Sequence, residues 1–394
     1  MMYISLQGVD MKVAVLVGDG MADYSLPELG GRTPLEVART PNMDFVAREG
    51  TGGLVRTIPE GMLPGSDVAN LSVLGYDPKK YYTGRAPLEA ASMGVELSED
   101  EVAFRCNLVT VEDGIMADYS AGHISTREAK ELISLLQRSL GSEDLRFYPG
   151  VSYRHLLVLR GGYEDLITTP PHDITGRPVE DYLPKGEGAD LLLELMRASE
   201  EILKNSELNR RRLAEGRRPA NMIWPWGGGR TPKLSPFPLK GGVISAVDLV
   251  KGIGILAGLE VFDVPGATGY LDTNYEGKAS CALEILKDMN FVFLHVEAPD
   301  EAGHSGSVQD KIRAIEDFDE KVVGPLLEGI MKLGGRILVL PDHRTPIPVR
   351  THTPEPVPFA FWPGGVHVGA FSEWEAGSGL RVREGHKLIE IFLR

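Results

Sequence analysis

The sequence predicts an α/β chain, a mostly parallel sheet with helices on both faces, interrupted by an α+β insertion. Three observations carry this. Short apolar runs rich in β-branched residues stop abruptly at Gly or Asp and alternate with helix-like spacing, the pattern of a buried parallel sheet. From about Phe104 the texture changes to hairpin and long-helix patterns, and from about residue 238 the run-then-helix style resumes. These shifts divide the chain into 1–103 with 238–394 for the sheet domain and 104–237 for the insertion. At 394 residues the chain exceeds one ordinary domain.

In chain order, KVAVLVGDG (12–20) reads as a buried strand ending in a tight turn. TPLEVARTPNMDFVAREG (33–50) has helical spacing, and GGLVRTIP reads as a strand. LPGSDVANLSVLGYDP (63–78) passes from a Pro-Gly turn into an amphipathic segment, with Ser66 at the helix start. AFRCNLVTVEDGIMADYS gives two strands around Asp113-Gly114, a hairpin signal. A helix over 125–140, a strand in YRHLLVLRG and one long amphipathic helix over 191–216 follow. NMIWPWGGGRTPKLSPFP (221–238) reads as a Gly/Pro loop closing the excursion. Further strands are expected at 291–296 and 336–341, and no internal repeat is present.

Composition narrows the function. The chain is 42% hydrophobic and 25% charged, with a net charge of −15, which argues against a nucleic-acid or anionic-membrane binder. An acidic protein handling an anionic substrate must concentrate positive charge locally, through metal ions or a few arginines. Cys106 and Cys281 make no disulfide framework, so a cytoplasmic location is expected. The opening MMYISLQGVDMKVAVLV lacks the features of a signal peptide, and Met11 is an alternative start. No apolar run reaches the ~20 residues of a membrane span. A homo-oligomer stays open.

Ligands gather at the carboxyl ends of strands in α/β sheets. There Asp19 follows one apolar run, Asp342 and His343 another, and Asp300 and His304 a third. His352 comes after a Pro-rich return that can fold back to the same edge. Asp300 and His304 are four apart, so one helical turn aims both inward. This mixed set of carboxylates and imidazoles suits Mn²⁺ or Zn²⁺, with Co²⁺ or Mg²⁺ as alternatives. Any one of these residues alone is more readily a capping Asp or a core His. Together they point to a two-metal site, which suits phosphoryl chemistry. Ser66 is the candidate nucleophile, with a helix N-cap as its bland alternative.

GDGMAD (18–23), LPGSDVANLSVLGYDP (63–78), PDEAGHSG (299–306), PDHRTP and THT (341–353) together resemble the archaeal-type, cofactor-independent phosphoglycerate mutases, metalloenzymes of the alkaline phosphatase superfamily. The resemblance covers nearly the whole chain. It implies an alkaline-phosphatase-like sheet and two divalent cations, one held by Asp300, His304 and His352 and the other by Asp19, Ser66, Asp342 and His343. It implies that Ser66 takes the phosphoryl group of 3-phosphoglycerate and returns it to the other hydroxyl of glycerate, while the insertion clamps the substrate. His123, Arg154, His172 and Asp173 in the insertion, with Lys278 in the main domain, are the implied substrate contacts, and His123 and Asp173 the implied acid–base groups. The pattern departs at Arg344 and His123, where the archaeal enzymes carry Ser and Arg. That keeps a homoserine kinase of the same architecture as the alternative, with a metal-dependent phosphohydrolase behind it. Neither GYLDTNYEGKAS nor KGIGILAG has the spacing of a nucleotide-phosphate loop.

Overall fold

The computed structural model describes residues 11–394; the opening MMYISLQGVD, part of the stretch without signal-peptide features, lies outside the described residues. By internal packing the chain divides into two compact units, one formed by residues up to Tyr82 with Lys233–Arg394 and the other by Thr83–Pro232. The excursion read at 104–237 overlaps the second unit, which also takes in the helix Ala86–Ser92. Among the described residues the strands are β1 (Val13–Gly18), β2 (Thr51–Val55), β3 (Glu101–Glu112), β4 (Ile115–Asp118), β5 (Leu145–Tyr148), β6 (Arg154–Arg160) and β7 (Met222–Gly229). They continue with β8 (Gly241–Ile244), β9 (Glu260–Val261), β10 (Phe291–Val296), β11 (Arg336–Leu340), β12 (Val357–Trp362) and β13 (Leu380–Val382).

The larger unit holds an eight-stranded sheet in the order β13-β2-β12-β11-β1-β10-β8-β9. Every pairing is parallel except the two made by β12. β1 and β10 are buried along their whole length, as their unbroken apolar runs require. The register makes the central strand ends level: Val17 of β1 lies opposite His295 of β10 and opposite Leu340 of β11. Side chains just beyond these three ends therefore share one edge of the sheet. The helical pattern at 33–50 forms two helices, Pro34–Val37 and Pro41–Glu49. Pro41 lacks an N–H and pushes Thr40 out of the helical region, so the first helix cannot run through it.

The smaller unit is an antiparallel sheet, β4-β3-β6-β5 with β7 also paired to β3, packed against helices. The hairpin at Asp113-Gly114 is present, with both residues at positive φ (49° and 76°), as a tight two-residue turn demands. Ser125 caps the helix Thr126–Leu140, whose Ala129, Leu132, Ile133 and Leu136 enter the core. Two segments differ from the sequence reading. The amphipathic stretch 191–216 is two helices, Ala189–Lys204 and Glu207–Ala214, because Ser206 ends one and caps the next through Asn209 N. The Gly/Pro stretch at 221–238 contains strand β7, since pairing with β3 buries Trp224 and Trp226 in the core. Two indole rings outweigh three glycines here. No helix among the described residues is long and apolar enough to cross a membrane.

Candidate active site

Three neighbouring strands deliver the site. β1 hands over Asp19, whose N–H donates to Val296 O at 2.9 Å and so locks the turn to the end of β10. β10 leads into the helix Ala298–Ser305, where Asp300 and His304 lie one turn apart. β11 ends in Asp342-His343. The chain then doubles back: Thr353 N donates to Arg344 O at 3.1 Å across an isolated antiparallel bridge. That return sets the His352 ring 4.0 Å from the ring of His343 and 4.8 Å from that of His304, centroid to centroid.

The side chains form two groups, Asp300 with His304 and His352, and Asp19 with Asp342 and His343; within each, one donor atom per residue lies within 4.8 Å of the others. In the first, His304 Nε2 is 3.1 Å from Asp300 Oδ2 and 3.0 Å from His352 Nε2, and His352 Nε2 is 3.5 Å from Asp300 Oδ1. Nδ1 of His304 donates to Arg350 O at 3.0 Å, which orients Nε2 inward, the usual arrangement of a metal-binding imidazole. In the second, His343 Nε2 lies 3.4 Å from Asp19 Oδ1 and 3.5 Å from Asp342 Oδ2. Ser66 Oγ is 3.1 Å from the same Nε2. The cap of the helix Ser66–Val73 is Gly65, and Ser66 makes no capping bond with its side chain. Its hydroxyl is therefore committed to the site rather than to the helix.

Thr345 joins the two groups and sets a tautomer. Its Oγ1–H donates to Asp300 Oδ1, so its oxygen is left to accept from His343 Nδ1 at 3.3 Å. His343 then carries its hydrogen on Nδ1 and turns a bare Nε2 toward Ser66 and Asp19. Asp342 is held by Gly20 N at 3.2 Å, its neighbour His343 N at 2.9 Å, and Asn70 Nδ2 at 2.8 Å. Asn70 Nδ2 also donates to Ser66 O at 2.8 Å, tying the serine and the carboxylate together. Gly20 has φ +61°, and a Cβ there would come within 2.6 Å of Asp300 Oδ1. Only glycine fits this turn.

The electrostatics call for cations. Asp19 and Asp342 are buried beside one another, and among the described residues neither is ion-paired with Lys or Arg. Burial and the neighbouring Asp342 push the Asp19 carboxyl well above its ordinary range. Burial would raise Asp342 too, but the adjacent His343 and His295 outweigh it and hold it low. Burial lowers His343 to about 4, so its ring is neutral near pH 7. In the other group burial disfavours the His304 cation, but Asp300 outweighs it and raises that ring to about 9. Asp19 Oδ1 is buried without a hydrogen bond. An unsatisfied buried carboxylate oxygen facing a bare imidazole nitrogen fits a divalent cation, and the oxygen and nitrogen donors fit the expected metals.

A buried ion pair holds the loops of the site together. Lys311 Nζ is 2.7 Å from Asp23 Oδ2 and also donates to Thr345 O at 2.8 Å, both side chains being fully buried. Asp23 accepts in addition from Ile347 N at 3.2 Å. Lys311→Met should therefore destabilise the protein by about 3–5 kcal/mol, because it strands a buried carboxylate; urea unfolding measures this. Arg344, one of the two departures, is accounted for here. Its guanidinium donates to Asp23 O at 3.0 Å and to Pro356 O at 2.9 Å and 3.1 Å, bracing the return rather than entering the site.

The remaining residues singled out in the sequence lie elsewhere. Lys278 is fully buried on the helix Tyr275–Asp288, its Nζ donating to His295 O at 3.1 Å; burial lowers it to about 8. His123, Arg154, His172 and Asp173 are exposed on the smaller unit and gather around a chain of rings. His123 and Arg154 lie 6.4 Å and 5.6 Å from the Tyr153 ring, and Tyr153 and His172 lie 5.5 Å and 6.1 Å from Tyr119. His172 also contacts Trp226 at 5.5 Å and approaches Asp173 at 3.5 Å.

Four residues at the site escaped the sequence reading: Gly20, Asn70, His295 and Thr345. His295 carried a usable signal, a lone polar residue inside the apolar run FVFLHV. Its ring is fully buried, and burial lowers it to about 4. Its Nε2 lies 3.1 Å from Asp19 Oδ2, yet off the line of a hydrogen bond and without any other partner. Asn70 and Thr345 are ordinary helix and loop residues in sequence, and only the fold brings them to Asp342 and Asp300.

Known proteins resemble this chain over nearly its whole length. A family model described as 2,3-bisphosphoglycerate-independent phosphoglycerate mutase matches residues 47–209. A protein of that name from Methanothrix thermoacetophila is 56% identical, covering 97% of this chain and 100% of its own. A second, from Methanothermobacter thermautotrophicus, is 52% identical and covers 98% of both chains. Among solved structures, a Pyrococcus horikoshii protein superposes with a TM-score of 0.82 at 33% identity, covering 97% of this chain and 96% of its own. The cofactor-independent phosphoglycerate mutase of Thermoplasma acidophilum superposes with a TM-score of 0.66 at 28% identity, covering 97% of this chain and 99% of its own. Near-full-length identity above one half, with the strand-end acids and imidazoles in one place, assigns the chain: it belongs to the 2,3-bisphosphoglycerate-independent phosphoglycerate mutase family, a family of isomerases.

Proposed function

We propose that this chain interconverts 3-phosphoglycerate and 2-phosphoglycerate through a phosphoserine on Ser66, without 2,3-bisphosphoglycerate. The observation that carries the reading is the Ser66 hydroxyl, free of any capping role and 3.1 Å from a bare His343 Nε2 between two groups of metal-ligand type. Asp300, His304 and His352 would hold one divalent cation, and Asp19, Asp342 and His343 with Ser66 the other; the mixed oxygen and nitrogen donors suit Mn²⁺ or Zn²⁺. Bound there, the two cations draw charge from phosphoryl oxygens and lower the pKa of the serine hydroxyl.

In the first half-reaction the Ser66 hydroxyl gives its proton to a base as Oγ attacks phosphorus, the bond to the C3 oxygen breaks, and that oxygen takes a proton to give glycerate. Glycerate turns, its C2 hydroxyl gives its proton to a base as its oxygen attacks the phosphoserine, the Oγ–P bond breaks, and Oγ regains a proton. The patch of His123, Arg154, His172 and Asp173 binds the substrate. Arg154 suits its carboxylate, and His123 or Asp173 moves the proton. With Cys106 and Cys281 both free, a cytoplasmic location is the natural assignment.

The deciding assay uses purified protein with Mn²⁺ and 3-phosphoglycerate, free of 2,3-bisphosphoglycerate, set beside ATP plus homoserine. Formation of 2-phosphoglycerate without release of inorganic phosphate is expected. Phosphohomoserine as the product would reassign the chain to the kinase reading.

A further inference from the structure

We infer that His295 is a positioning residue for Asp19, setting how that carboxylate meets its cation. The parallel register places His295 directly across from Val17, two residues before Asp19, and the Asp19 N–H is fixed on Val296 O. The imidazole is thus built into β10 beside the acid and cannot swing away. Ser245 Oγ accepts from Val247 N at 3.0 Å and keeps a hydrogen that it can donate to His295 Nδ1, 3.4 Å away. Nε2 lies 3.1 Å from Asp19 Oδ2, which as an ionised carboxylate oxygen can only accept, so the ring hydrogen belongs on Nε2. The backbone of His295 is anchored from the other side by Lys278 Nζ on its carbonyl, at 3.1 Å. His295 does not belong to the close group of Asp19, Asp342 and His343. Its buried, unpartnered Nε2–H is a donor awaiting alignment rather than a ligand nitrogen. A donor on Oδ2 leaves Oδ1, which faces His343 Nε2 at 3.4 Å, as the oxygen for the cation. Hydrogen-bond partners of ligating carboxylates commonly govern affinity in this way.

The inference rests on the two-cation reading of the site and is tested by Mn²⁺ binding rather than turnover. Calorimetric titration of the chelated wild-type protein should show two ions; fewer than two overturns the two-cation reading and takes this inference with it. Asp19→Asn marks which binding step belongs to the Asp19 group. His295→Leu, which keeps the volume of the strand interior, should weaken that step by about 10–100-fold and leave the other within about twofold. His295→Gln, whose amide can still donate to Oδ2, should recover most of the loss, which a purely structural role would not produce. Ser245→Ala removes only the group that orients the ring and should weaken the same step by a smaller factor. If His295→Leu binds both ions as wild type does, or weakens both equally, the inference is wrong. Should that variant not fold, unchanged binding in Ser245→Ala overturns it instead.

Discussion

Ser66→Ala should remove mutase turnover by about 10⁴-fold or more, the scale on which covalent nucleophiles act, while leaving the fold and cation binding in place. The structural half of this expectation comes from the helix start. Gly65, not Ser66, is the capping residue, and the hydroxyl makes no capping bond, so its loss costs well under the ~1 kcal/mol of a true cap. The chemical half comes from His343, whose bare Nε2 faces the hydroxyl at 3.1 Å because Thr345 occupies Nδ1. Wild-type protein quenched during turnover should carry phosphate on Ser66, detected by mass spectrometry of the peptide containing it. Substantial mutase activity in Ser66→Ala would rule out transfer through this serine.

Chelation should abolish activity just as completely, and Mn²⁺ should restore it. Without cations, Asp19 and Asp342 oppose one another in a buried setting and the two imidazoles of His304 and His352 face each other at 3.0 Å. The pH dependence follows from His304. Its pKa is raised to about 9, so below that pH a cation entering the Asp300 group must displace a proton. Apparent Mn²⁺ affinity at that group should therefore fall as pH drops below about 9, by up to ~10-fold per unit for one displaced proton. Stability of the metal-free fold runs the opposite way for this group: a ring whose pKa is raised in the folded state stabilises that fold at low pH. That contribution is lost as pH rises through about 9. Calorimetry in buffers of different protonation enthalpy counts the proton released. A metal-free protein, verified by elemental analysis, that keeps full activity would refute the two-cation reading.

Much of the site was legible because its residues sit where sequence patterns are strongest. Asp19 and Asp342 stop apolar runs, and Asp300 and His304 carry helical spacing directly after one. The reading failed where one signal masked another. Three consecutive glycines hid β7, whose indoles bury it, and an unbroken amphipathic pattern hid the cap at Ser206. His295 was hidden by the apolar residues around it.

The sequence by itself determined the α/β alternation, the hairpin at Asp113-Gly114, and the acids and imidazoles that follow the strands. All of these depend on periodicity and turn chemistry within a few residues. Tertiary structure decided which of those residues meet. β1 lies between β10 and β11, strands more than 250 residues away in the chain, and their level register places Asp19 beside Asp342 and His295. The bridge between Arg344 and Thr353 swings His352 onto His304, and Thr345 links the two groups. Local pattern carries no information on strand order or register. These are settled only when the whole sheet buries its apolar faces together, and that collective choice sets the geometry of the site.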